Sequence, residues 1–282
     1  MGMGRGIIGR IGAAMATTLV LVASQLAPTA ARAQQSTLDK IKSSGTLKVC
    51  VAQISPEAYK DAKTGAWSGV FIDLTNELAT WMKWKVEFVE VQWPTVVLSI
   101  KRGDCDMFGG SLVYNAPRAA EIAFIRPQWA KGDNVIVKKE NTKFAKPADL
   151  NSKDVTIAVV AGSSENEVAR RTFPNAKLLA LQVNSNIQIL DSVRRGDADA
   201  GLLPKITLDW WLAVPENATW GRIAFPGTEF AAAPNGWAVR YGDPDWARFL
   251  DNFSAWASAS GEIDQLYAKY VATTNPFLNK SN

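Results

Sequence analysis

Histidine is absent from all 282 residues. That excludes Ser–His–Asp and Cys–His nucleophilic catalysis and every metal site built on imidazole. Cysteine is scarce. Cys50 and Cys105 are the only two, too few for a structural zinc site, which takes four Cys or His ligands. Charge of one sign is not in large excess, with 31 Lys and Arg against 27 Asp and Glu, so nothing marks a nucleic-acid binder. No segment after the first 33 residues is apolar for long enough to span a bilayer. No metal, cofactor or nucleic-acid partner is expected.

What is present begins with an export signal. "MGMGRGIIGR" holds Arg5 and Arg10 and no acid, "IGAAMATTLVLVASQLAPTA" is its apolar core, and Ala31-Arg32-Ala33 gives a small-x-small site. Residues 1–33 read as a signal peptide cleaved after Ala33. A membrane anchor is the alternative, but the run is short and rich in Ala and Thr. Arg5, Arg10 and Arg32 supply three of the four net positive charges, so the basicity belongs mostly to targeting. The mature chain is long enough for two modest domains or one large one. In an oxidising compartment the even cysteine pair invites a disulfide; two buried free thiols are the alternative.

The mature sequence alternates between strand and helix patterns. "TLKVCVAQI" (46–54) is a buried strand. In "GVFIDLTNELATWMK" (69–83), Phe71, Leu74, Leu78 and Met82 recur at helical spacing. "KVEFVEVQ" (85–92) alternates as a strand. "WPTVVLSIKRG" (93–103) is a helix with Pro94 in its first turn, and "CDMFGGSLV" (105–113) is a third strand. The plan then restarts. "VTIAVVAGSS" (155–164) is a strand, Ser164 and Glu167 form a capping box for the next helix, "AKLLAL" (176–181) is a strand, 184–196 a helix and 197–203 a strand. The fold class is α/β: two doubly wound units with mostly parallel sheets.

Each unit carries R-G-D-x-D at its second helix end, in "IKRGDCDMFGG" (100–110) and "VRRGDADAGLL" (193–203). An adhesion tripeptide needs a flexible loop, and a metal-binding D-x-D needs a third ligand. The favoured reading is structural: Arg and Gly stop a helix, and Asp-x-Asp starts a strand.

The chain resembles the periplasmic solute-binding proteins of ABC transporters, family 3, the polar amino-acid receptor type. The landmarks are "IKSSGTLKVCVA", "GVFIDLTNELA", "IKRGDCDMFGG", "APRAAEIAFIRP", "AGSSENEVA", "VRRGDADAGLL" and "GWAVRYGDPDWARFLDNFSAWASASGEIDQLYAKY", in family order across nearly the whole mature chain. The resemblance implies a two-lobed Venus flytrap fold with two hinge strands. Lobe one would be 34–130 plus 232–282, and lobe two 131–231. It implies a periplasmic, non-enzymatic monomer that binds a small solute and docks on a permease.

The resemblance also assigns a site. Arg118 aligns with the arginine that grips a ligand carboxylate, a task suited to its planar fork; a surface pair with Glu121 is the alternative. Gly110, Ser111 and Val113 would line the same pocket. Ser163 and Ser164, at a helix start, would bind the same anion through free N–H groups and a hydroxyl; capping alone is the alternative. Trp93 would cover the ligand, or else pack in the core. The acids that hold an α-ammonium are missing: Pro204, Val51 and Phe71 stand at three acidic positions, although Asp73 and Glu57 remain. The expectation is a carboxylate-bearing organic acid or atypical amino acid. The alternatives are a periplasmic dehydratase of cyclic dienyl acids and an accessory binding protein of a redox enzyme. The resemblance places the first and third strands side by side, so a Cys50–Cys105 bond is expected between them.

Overall fold

The computed structural model describes Met1, residues 35–61 and residues 63–273. The expected signal peptide and its cleavage site fall outside the described residues apart from Met1. From Gln35 onward the described residues belong to one compact unit.

Its frame is one mixed sheet. Along the main path the strands lie in the order Lys85–Glu90, Thr46–Val51, Met107–Val113, Phe230–Val239, Trp129–Lys138, Ala200–Pro204, Thr156–Val160, Lys177–Leu181. The first three are parallel to one another, and so are the last three. Each trio puts its first strand in the middle, its second at the outer edge and its third against the central pair. Each is a βαβαβ half, as the alternating pattern predicts. Between them, Trp129–Lys138 and Phe230–Val239 run antiparallel to each other and each pairs with one half.

The residue patterns explain the placement. Met107–Val113 and Ala200–Pro204 are apolar runs and lie inside the sheet, buried nearly throughout. Lys85–Glu90 alternates and lies at an edge, with Lys85 and Glu87 exposed and Val86 and Phe88 half-buried. The helix Val70–Met82 buries Phe71, Leu74 and Leu78 on the first half, each worth roughly 1.5–3 kcal/mol of burial. The closing helices Pro244–Ala259 and Glu262–Ala268 return to that half, where Trp246, Phe253, Ile263 and Tyr267 share its core with Val49, Phe71 and Trp237.

The two R-G-D-x-D segments make matching contacts. Gly103 (φ +74°) and Gly196 (φ +89°) cap the helices Val96–Arg102 and Ile187–Arg195 in the left-handed region, where glycine is least strained. Arg102 Nη2 donates to Asp104 Oδ2 at 2.6 Å, and Arg195 Nε donates to Asp197 Oδ2 at 2.9 Å. Asp106 accepts from the Lys48 N–H at 2.9 Å, and Asp199 from the Thr156 N–H at 2.9 Å. The N–H groups of Asp106 and Asp199 donate back to the carbonyls of Lys48 and Thr156. The second Asp therefore ties each third strand to the start of each first strand.

Three local expectations are corrected. The third strand of the first half begins at Met107, so Cys105 precedes it rather than lying on it; the bend still brings Cys105 to Cys50, and the two form a disulfide with Cα atoms 5.6 Å apart. The helix Ser164–Thr172 is capped by Ser163, whose hydroxyl accepts from the Asn166 N–H at 3.3 Å, so the capping box at Ser164 and Glu167 is not the cap. The helix expected from 184 starts at Ile187.

Candidate functional site

The halves meet where their third strands end, and they meet through buried polar groups. The Ser55 N–H donates to Asn186 Oδ1 at 3.2 Å, and Thr207 Oγ1 donates to the Ser55 carbonyl at 2.5 Å. Asn186 Nδ2 donates to Thr207 Oγ1 at 3.0 Å, closing a buried triad. Gln92 Nε2 donates to Asn184 Oδ1 at 2.6 Å. Gly162, at φ +74°, lies so close to Pro94 that a Cβ there would come within 2.7 Å of the Pro94 Cα. Ala52, Ile54 and Trp93 share one apolar core with Val160, Leu203 and Trp210. Among the described residues, a space of about 10 Å³ lies between the halves, lined by Ile54, Trp93, Val160, Ser163, Glu165, Asn186, Leu202, Leu203 and Pro204. That holds about one water, whereas small-molecule pockets run to several hundred Å³. A solute enters this space only when the halves part or side chains withdraw.

Of the residues expected at the site, Trp93, Ser163 and Pro204 line this space, and Arg118 bonds across the seam to Gly162. Arg118 sits in the short helix Ala116–Ala119, whose N-cap Asn115 accepts from the Arg118 N–H at 2.9 Å. Its Nη1 donates to the Val113 carbonyl at 3.1 Å, and its Nη2 donates across the interface to the Gly162 carbonyl at 3.3 Å. Burial lowers its pKa, with Glu165 and Glu167 opposing the shift, but a guanidinium keeps its charge in either case. Glu121 pairs with Lys101 instead. Ser111 is buried, and its hydroxyl accepts from Asn235 Nδ2 at 2.6 Å. Gly110 lies against the Phe108 ring, 2.9 Å from a built Cβ. Trp93 spends its Nε1–H on the Gln53 carbonyl at 3.2 Å. Pro204 ends its strand and lines the residual space. Ser163 lines it too, but its N–H donates to the Val160 carbonyl at 3.2 Å. The expected free N–H at Ser163 is therefore taken by the turn that leads into the helix. Ser164 is the first helical residue and is half-buried.

The sequence reading named Glu57 as a remaining acid but missed the set of buried charges to which it belongs. Glu57, in the first loop, is fully buried; its Oε2 lies 3.0 Å from Lys131 Nζ, and its Oε1 accepts from Tyr267 Oη at 2.7 Å. Glu57 is thus committed to a structural ion pair rather than open as a ligand acid. Two residues along the same central strand, Asp133 is buried opposite Pro204 in the strand register. Desolvation, then Glu165, raises its pKa well above the usual carboxylate range, while Lys131 pulls it back. Glu165 is 5% exposed, lines the residual space, and its Oε1 has no hydrogen-bond partner. An acid in a first helical turn is ordinary in sequence, and only the fold turns this one inward.

Among the described residues no helix is long and apolar enough to cross a membrane. Two α/β halves on a shared pair of crossing strands, with a closable polar seam, define a two-lobed binding protein. Residues 47–273 match the bacterial extracellular solute-binding proteins, family 3, and the chain belongs to that family. It is 27% identical over 182 residues to the glutamine-binding protein of Geobacillus stearothermophilus, covering 63% of this chain and 68% of that one. It is 26% identical over 176 residues to the cyclohexadienyl dehydratase of Pseudomonas aeruginosa, covering 62% and 65%. The crystal structure of an ancestral amino acid-binding protein, a precursor of cyclohexadienyl dehydratase, superposes with a TM-score of 0.75 at 30% identity, covering 84% of this chain and all of that one.

Proposed function

We propose that the chain is a periplasmic receptor that captures a small carboxylate-bearing solute between its lobes and presents the closed form to an ABC permease. The observation that carries this reading is the partner set of Arg118. Its cation is half-buried and held by two neutral carbonyls, one from each half. A partly desolvated cation whose hydrogen bonds go to neutral groups favours an incoming anion, and a carboxylate matches its fork. Ser111, Gly110, Val113 and Trp93 would line the site on the side of Arg118, and Ser163, Ser164 and Pro204 would line it from the other half. A solute bound by both walls is worth more in the closed state than in the open one, and that difference drives closure.

The lobes are taken as 34–130 with 232–282, and 131–231. In support, Lys131 and Ala233 face each other in the register of the crossing strands, so both boundaries fall at one level. Residues 1–33 would direct export of a monomer.

Calorimetry with a panel of small carboxylates tests the reading. One or more should bind, and Arg118→Ala should weaken binding by about 10- to 150-fold, the worth of one charge-assisted contact, with the fold intact. Unchanged affinity would refute it. The dehydratase relative adds one control: prephenate-like cyclohexadienyl acids should bind without being turned over.

A further inference from the structure

We infer that Asn186 is a positioning residue that latches the two halves together without help from a solute, so that the protein is mostly closed before it binds and capture waits on the latch opening. Asn186 plays this part whatever Arg118 takes up. A solute then retains a closed form that the chain already reaches.

Asn186 stands at the N-cap of the helix Ile187–Arg195, where an asparagine side chain ordinarily accepts from an N–H of its own helix. This one makes no such bond. Ser185 serves the helix start instead, its hydroxyl accepting from the Ile187 N–H at 3.3 Å. The Asn186 amide is turned across the seam, where Oδ1 accepts from the Ser55 N–H at 3.2 Å. Thr207, in the helix Lys205–Leu212 of the same half, donates to the Ser55 carbonyl at 2.5 Å. Both main-chain groups of one residue in the first half are thus read by two side chains of the second. All three residues are buried, and buried main-chain groups need partners. Closure satisfies these only when the halves meet in this one register.

Both faces of the latch are built before they meet. Asn186 Nδ2 donates to Thr207 Oγ1 at 3.0 Å within the second half, so that pair is set with the halves apart. On the other face, Ile54 and Ala58 exchange main-chain hydrogen bonds at 2.7 Å each, and Glu57 is held by Lys131 and Tyr267. The Ser55 loop is therefore fixed, and little conformational entropy is left to lose on contact. Apolar surface is covered in the same movement. Tyr59 packs on Trp210 with ring centroids 5.9 Å apart, and Ile54 shares a core with Leu203 and Leu208. None of these contacts uses a solute. With the halves parted, water serves Ser55, Asn186 and Thr207, so deleting a latch group penalises the closed form alone.

Small-angle scattering and amide hydrogen exchange on solute-free protein test this, with any bound solute removed by unfolding, disulfide intact, and refolding. The wild type should give the scattering of the closed structure and protect the Ser55 N–H. Thr207→Val, which keeps the shape and loses the hydroxyl, should raise the radius of gyration and speed Ser55 exchange about tenfold or more. Asn186→Leu should do the same. Thr207→Ser keeps the hydroxyl and should behave as the wild type. The strand amides of Val49 and Leu202 should stay protected in every variant, which separates opening from loss of fold. A solute-free wild type that scatters as an open form overturns the inference. So do Thr207→Val and Asn186→Leu variants as compact as the wild type with Ser55 still protected. Either result leaves the carboxylate receptor standing, because no solute enters the measurement.

Discussion

Lys131 Nζ lies 3.0 Å from Glu57 Oε2, and neither side chain reaches solvent. Glu57 belongs to the loop that holds the Ser55 contact to the second half, and Lys131 belongs to a strand shared by both halves. The pair therefore fixes the loop to the crossing strands, with Tyr267 from a closing helix completing the carboxylate.

Removing one member leaves a charge without compensation. Lys131→Met should lower stability by about 3–5 kcal/mol in denaturant titration. Lys131→Met with Glu57→Gln should recover most of that loss. A double variant as unstable as the sum of its parts would show that the two residues act separately.

Asp133 predicts a pH effect of unusual sign for an acid. Its folded pKa is raised by burial first, then by Glu165, Glu229 and Glu57, with Lys131 opposing. The folded state therefore keeps a proton that the unfolded chain releases near pH 3.9. The resulting stabilisation is complete below that value and is lost as pH climbs through the raised folded pKa. Asparagine mimics the protonated acid. Asp133→Asn should match the wild type near pH 4 and melt at a higher temperature near pH 8; parallel melting curves at the two pH values would contradict this.

The repeated turn gives a prediction about additivity. Asp106→Asn and Asp199→Asn each remove a carboxylate that accepts from the backbone of the first strand in its own half. Each should cost on the order of 1–2 kcal/mol, with Asp106 losing somewhat more because its lysine partner, Lys40, lies at 2.8 Å, closer than Lys143 to Asp199 at 3.7 Å. Two strands separate the two sites along the sheet, so the double variant should show the sum within about 0.5 kcal/mol.

The βαβαβ halves could be read from the sequence because their strands are apolar runs and their helices end in glycine. The crossing strands could not. "WAKGDNVIVK" places Lys131, Asp133 and Asn134 in buried positions, and charged residues inside an apolar segment imitate a loop. The same feature hid part of the site. Arg118, Trp93, Ser163 and Pro204 follow from motif and resemblance, but Asp133 reaches Pro204 only through strand register, across 71 positions of sequence. Glu165 was visible, yet nothing in "AGSSENEVA" tells an inward acid from an outward one. Asn186, read as part of a helix start, is the buried partner of both Ser55 and Thr207.

Gly162 and Pro94 touch at the level of the backbone, which gives the two jaws a hard stop. When the jaws meet there, the closed outline is set by main chain. A passenger small enough lets the rim meet at the same point each time, and one too large leaves a gap there. A transporter that reads the rim would thus be sorting cargo by size without ever touching it.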